Sequence, residues 1–127
     1  MLLGMGSFWE GVDFAQQDRV IEVIARLPFD NPKDPFYQKL ESWFSKQGKH
    51  TFNSYSLPMT ILRFKQAIGR SQRRPDQRSA ILLLDNRPLV KSYGKLFLKE
   101  VSQEISLERT KFKTFNEDIQ TFLQKES

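Results

Sequence analysis

Two kinds of apolar rhythm alternate along the 127 residues. "MLLGMG" at the start, "VIEVIARL" from Val20 and "AILLLD" at 80–85 are short, continuously apolar or β-branched runs, the pattern of strands buried in a parallel sheet. Between them the period lengthens. "DPFYQKLESWFSKQ" sets Asp34 as a cap and Pro35 at the first helical position, and "LPMTILRFKQAIGRSQRR" has Pro58 at its start, so both read as helices. "RPLVKSYGKLFLKEV" and "FNEDIQTFLQKE" predict two more, the last capped by Thr114 or Asn116. Strands alternating with helices predict an α/β layer architecture. An open parallel sheet commonly holds about five or six strands, whereas about three are found, and the first begins at the first residue. Residues 1–127 are therefore expected to be a single domain and the carboxy-terminal piece of a longer protein.

The helix that begins near Pro58 carries the first chemical signal. At about 100° per residue, Leu57, Ile61, Phe64 and Ile68 fall on one face, and Arg63, Gln66, Arg70 and Arg73 on roughly the opposite one. This predicts apolar packing and arginine presentation on separate faces. Arginine grips phosphate or carboxylate in a two-pronged, always-charged geometry; a merely solvated basic face is the alternative. Gly69, inside the helix, costs about 1 kcal/mol relative to Ala. It predicts close approach by a neighbouring element or ligand, or an early helix end.

Composition narrows the classes. The net charge of +5 leans toward a polyanionic partner. With no Cys, and His50 the only histidine, disulfides, thiolate metal sites and iron–sulfur ligation within this stretch are excluded, and no metal site is expected from this chain alone. No apolar run approaches the roughly 20 residues of a membrane span, and "MLLGMGSFWEG" lacks the basic flank of a signal peptide. No membrane partner and a cytoplasmic location are expected.

"GSFWEGVDF" follows the first expected strand and places Gly6, Ser7, Glu10, Gly11 and Asp13 at its carboxy end, the side where open α/β sheets bind ligands. Asp13 or Glu10 there suits ribose hydroxyls or an arginine partner; a helix cap with ordinary packing of Phe8, Trp9 and Phe14 is the alternative. No Gly-rich loop ending in Lys-Ser or Lys-Thr is present. The chain can complete a nucleotide site but not build one.

These stretches, with "RLPFDNPKDP" and "LLLDNRPLVKSYGKLFL", together resemble the second motor lobe of the DinG branch of the XPD-like superfamily 2 DNA helicases, from about Leu2 to Leu98. Gln66-x-x-Gly69-Arg70-x-x-Arg73 resembles motif VI, and Glu10-Gly11-Val12-Asp13 resembles motif V. The resemblance implies a RecA-like lobe of the P-loop NTPase type, a partial parallel sheet flanked by helices that completes an ATP site between two lobes. By that resemblance ATP and magnesium are bound mainly by the first lobe. Arg70 and Arg73 would reach the γ-phosphate, with Gln66 ordering the same site. Gly11, Asp13, Glu10 and Gly69 would lie at the nucleotide, and Ser7, Trp9 and Arg63 toward single-stranded DNA. The implied partners are single-stranded DNA and the first helicase lobe of the same full-length protein, and the chain alone is expected to be inactive.

"RLPF", Arg26 to Phe29, is typical of the family but reads equally as a strand end turned by Pro28. Gln77 and Ser79 stand where many relatives carry Asp and then Gly, which predicts a different turn before the following strand. Two other functions fit parts of the pattern. One is a stand-alone basic nucleic-acid-binding module in which Arg63, Arg70, Arg73 and Arg74 grip phosphates; the other is a remnant with no ATP role. Glu10 and Asp13 favour the helicase, because a phosphate-gripping surface has no use for carboxylates beside its arginines.

Overall fold

The computed structural model describes residues 19–72, 75–109 and 114–124; the strand expected at 1–6 lies outside them. β1 (Arg19–Ile24) and β2 (Arg78–Leu83) pair in parallel, from Arg19 opposite Arg78 to Ile24 opposite Leu83. β2 begins two residues before the apolar run that predicts it. Parallel neighbours need a long crossover, and α1 (Pro35–Lys46) and α2 (Leu57–Ser71) lie in it. After β2 come α3 (Arg87–Val90), α4 (Gly94–Val101) and α5 (Phe115–Gln124). The described chain is therefore α/β. No helix in it is long and apolar enough to cross a membrane.

α1 starts as its sequence predicts. The Asp34 carboxylate accepts hydrogen bonds from the Phe36 and Tyr37 backbone N–H groups, and Pro35 takes the first turn, where a missing N–H costs nothing. It ends at Gly48, whose φ of 67° closes the last turn with bonds from Gly48 N to Ser45 O and Lys49 N to Phe44 O. α1 buries no side chain completely, and the Tyr37 hydroxyl bonds Ser56 Oγ at 2.8 Å.

α2 does not start at Pro58. Helical rotation begins at Thr51 and passes through a π-helical segment, Phe52–Ser56, in which the Leu57 N–H reaches back five residues to Phe52 O. Proline explains the wider turn: Pro58 has no N–H to give, and its ring crowds the carbonyl four residues earlier. α2 then packs against both strands and α4. The core consists of Ile24, Leu27, Phe64, Ala67, Ile68, Phe97 and Val101, with Phe64 and Phe97 edge to face at 5.3 Å.

Burial along β1 alternates, with Val20 and Ile24 inside and Ile21 and Val23 at 44% and 58% exposure. The expectation of a strand buried on both sides is corrected: one face packs on α2, and the other faces solvent. The single helix expected over 87–101 is also two. Lys91 adopts an extended conformation, and the chain turns back so closely that a Cβ on Gly94 would sit 1.9 Å from the Pro88 carbonyl oxygen. The Thr114 carbonyl accepts from the Asp118 N–H, so Thr114 rather than Asn116 flanks α5.

Asp85 closes the carboxy ends of the two strands. Its carboxylate accepts from the Leu27 N–H at 2.8 Å, the Arg87 N–H at 3.0 Å and Arg87 Nε at 2.9 and 2.8 Å, and it also pairs with Arg87 Nη2. Arg87 Nη2 reaches on to Leu27 O at 3.4 Å. Burial would push the Asp85 carboxyl up, but the bonds from the Arg87 side chain and from the two backbone N–H groups outweigh it and hold the pKa at about 2.

Two consequences are measurable. Because the folded pKa of Asp85 lies below its ordinary 3.8, its contribution, about 2 kcal/mol by linkage, is complete above pH 4 and lost as pH falls through 2. Urea unfolding between pH 7 and pH 2 should show that loss, and Asp85→Asn should flatten that part of the profile. Gly94→Ala should cost about 3 kcal/mol, because the Pro88 backbone must move to admit a methyl group.

Candidate functional site

The carboxy-terminal half of α2 carries the residues that the sequence singles out. Thr60, Phe64, Ala67 and Ser71 are buried, and the Ser71 hydroxyl donates to Glu22 Oε2 on β1. The small members of this row let the helix lie close to the sheet. The buried arc is therefore wider than Leu57, Ile61, Phe64 and Ile68 alone predict, and it rotates toward the arginine side.

Arg70 is consequently buried, at 9% exposure. This corrects the separation of packing from arginine presentation. Gln66, one turn earlier on the same side of the helix, is exposed. Gln66 and Gly69 line an open pocket of about 420 Å³ together with Lys65, Ile68, Gln72 and Glu104. Lys65 Nζ lies 3.5 Å from Glu104 and 3.6 Å from Glu100, so the carboxylate at this pocket has a cation beside it. Apart from its chain neighbours and the backbone of its own helix, no described atom lies within 4 Å of where a Cβ on Gly69 would be. The neighbouring element that Gly69 predicts is absent among the described residues, and the helix continues to Ser71.

Arg63, expected at DNA, is turned to the protein. Its Nη1 pairs with Asp30 Oδ1 at 2.8 Å and donates to Pro28 O at 2.9 Å, which anchors the loop after β1. Gly11, Asp13 and Glu10 at the nucleotide, Ser7 and Trp9 at DNA, and Arg73 beside Arg70 all lie outside the described residues. Among the described residues no three His, Asp or Glu side chains converge as a metal site.

Residues 1–104 match the helicase C-terminal domain family. This chain belongs to that family. It is 41% identical over 98 residues to the 3'-5' exonuclease DinG of Bacillus subtilis, a match covering 77% of this chain and 10% of that protein. It is 33% identical over 101 residues to the ATP-dependent DNA helicase YoaA of Haemophilus influenzae, covering 80% and 16%. With YoaA of Escherichia coli the identity is 34% over 98 residues, covering 77% and 15%. The chain is thus a helicase C-terminal domain of the DinG type and spans between 10% and 16% of the length of these relatives.

Two constellations in this DinG-type domain escape a motif reading. One is the Asp85 clamp, whose partner Leu27 is 58 residues away; the only trace in sequence is an Asp-x-Arg directly after an apolar run. The other is a ring cluster of Phe29, Phe52 and Tyr93, under the Arg87 guanidinium, which lies 5.1 Å from the Phe29 ring centre. Burial pushes the Tyr93 phenol up.

The open space at Gly69 yields a direct test. Gly69→Ala should stabilise the fold by about 1 kcal/mol, the helix propensity difference, read as a higher urea midpoint. A lower midpoint would mean that some part of the protein closes on this face.

Proposed function

We propose that this chain is the carboxy-terminal part of an ATP-dependent DNA helicase, a RecA-like second lobe that completes an inter-lobe ATP site and couples hydrolysis to movement on single-stranded DNA. The observation that carries the reading is the burial of Arg70 on the helix whose Gln66 and Gly69 line an open pocket. A surface built only to grip a nucleic acid backbone has no reason to bury its arginine.

The donor set suits a phosphate group. Lys65, Gln66 and Gln72 line the pocket, and its carboxylate, Glu104, is beside Lys65. Gly69 leaves room for a ligand to approach the helix. Magnesium is assigned to the first lobe. When bound, ATP supplies a phosphoryl group whose transfer to water spreads negative charge over its oxygens.

Arg70 is the described residue suited to meet that charge, because its guanidinium is always protonated and its helix is fixed to the sheet. Gln66 can donate and accept at the same place. Arg73, three residues after Arg70 in sequence, is assigned the same task. A cation delivered from one lobe to a phosphate held by the other acts only when the cleft closes, which ties hydrolysis to motion. The chain alone should therefore hydrolyse no ATP.

The test is Arg70→Ala in the full-length protein, with ATP turnover measured at saturating single-stranded DNA beside DNA affinity over a salt series. Turnover should fall by about 10³-fold or more while DNA affinity stays within a few fold. Unchanged saturated turnover would remove Arg70 from the ATP site. Weakened DNA binding with a salt slope lower by about one would favour the phosphate-gripping module.

A further inference from the structure

Roughly 27 Å from Arg70 along the helical run, at 1.5 Å per residue, the π-helical segment before α2 presents Phe52. Its ring stacks on Phe29 at 5.7 Å and tilts against Tyr93 at 5.2 Å, while Phe29 and Tyr93 meet edge to face at 5.7 Å. Arg87 lies over Phe29 and is held by Asp85, so the triangle of rings is fixed on the Arg87 side. Yet Phe52 remains 37% exposed. More than a third of a large apolar ring is thus left in solvent although two other rings brace it.

The two stretches that carry Phe52 and Tyr93 hold cations and no carboxylate. Residues 42–75 and 86–99 contain no Asp or Glu, and the contact between Phe52 and Tyr93 joins these two stretches in space. Lys49, three residues before Phe52, and Lys91, two before Tyr93, are exposed. The neighbouring carboxylates are engaged by arginines: Asp85 by Arg87, and Asp30, next to Phe29, by Arg63. π-helical turns are often found at functional sites. A part-exposed aromatic ring with exposed lysines close by in sequence is the chemistry that receives a nucleobase by stacking and its phosphates by charge.

We infer that Phe52, braced by Phe29 and Tyr93, is a stacking platform for a base of single-stranded nucleic acid, with Lys49 and Lys91 meeting the flanking phosphates. The inference deepens the proposed helicase function and rests on it for the choice of a single strand as ligand. Arg87 acts as a positioning residue through Phe29. Stacking on Phe52 is indifferent to base identity, as translocation along arbitrary sequence requires.

The test uses the full-length protein and two fluorescent strands of equal length, oligothymidylate and its abasic counterpart, titrated by anisotropy over a salt series. Phe52→Leu keeps an apolar side chain against Phe29 and Tyr93 but removes the flat face, and Phe52→Trp restores it. Phe52→Leu should weaken oligothymidylate binding by about tenfold, leave abasic binding and the salt slope unchanged, and be rescued by Phe52→Trp. Lys49→Ala and Lys91→Ala should each lower the salt slope by about 0.7 on both strands. Wild-type affinity for oligothymidylate in Phe52→Leu, or an equal loss on both strands, would overturn the platform. These outcomes are independent of Arg70→Ala turnover: a lost platform with an impaired Arg70 variant leaves the motor intact, and an unimpaired Arg70 variant removes the motor whatever Phe52 does.

Discussion

One carboxylate holds the described architecture together. Asp85 stands where β2 ends and binds the backbone where β1 has ended, so the two parallel strands are tied beyond their last paired residues, Ile24 and Leu83. The same oxygens fix Arg87 and the start of α3. Arg87 in turn carries the position of Phe29 and, through it, the ring cluster. A buried anion is costly without partners and strongly stabilising with several. Removing it would loosen the strand ends, the short helix and the rings together.

α2 is the second constraint. A helix laid on a sheet needs small side chains where the two backbones approach, and Thr60, Ala67 and Ser71 provide them. The consequence falls on the charged flank, where Arg70 is drawn inward while Gln66 stays open. The side chains assigned to phosphate are thereby set on a rigid element whose base is pinned to β1 through Ser71 and Glu22. Charge mounted this way costs little to reorganise when it is needed.

Much of this was legible in the chain. Both described strands, α1 with its Asp34 cap and Pro35, and the helix bearing the Gln66 and Arg70 motif follow from apolar period and terminal residues, and the family resemblance is carried by the same stretches. What escaped reading has identifiable causes. Helical periodicity weighs large apolar residues and overlooks Thr60, Ala67 and Ser71, so it turned Arg70 outward. Pro58 reads as a start, though a π turn lets a helix run through it. The split at Lys91 depends on Gly94 resting against Pro88, a contact made only in three dimensions. The clamp joins residues 58 apart, beyond the reach of any local pattern. An apolar run also predicts burial without saying on how many sides, and β1 buries one.

The π turn is equivalent to one residue inserted into an α-helix, and an insertion changes phase. Each residue turns the helix by about 100°, so the side chains before Phe52–Ser56 and those after it belong to two faces that one uninterrupted α-helix could not align. Phe52 looks toward Phe29 and Tyr93 while Phe64 and Ala67 look into the core because of that single extra residue. A DinG-type domain lacking one residue between Thr51 and Leu57 would regain a regular helix and keep its Gln66 and Arg70 face, yet would swing the aromatic end by more than a quarter turn. Length conservation in this short interval, more than residue identity, is where the pairing of the π segment with the far end of α2 would leave its trace among relatives.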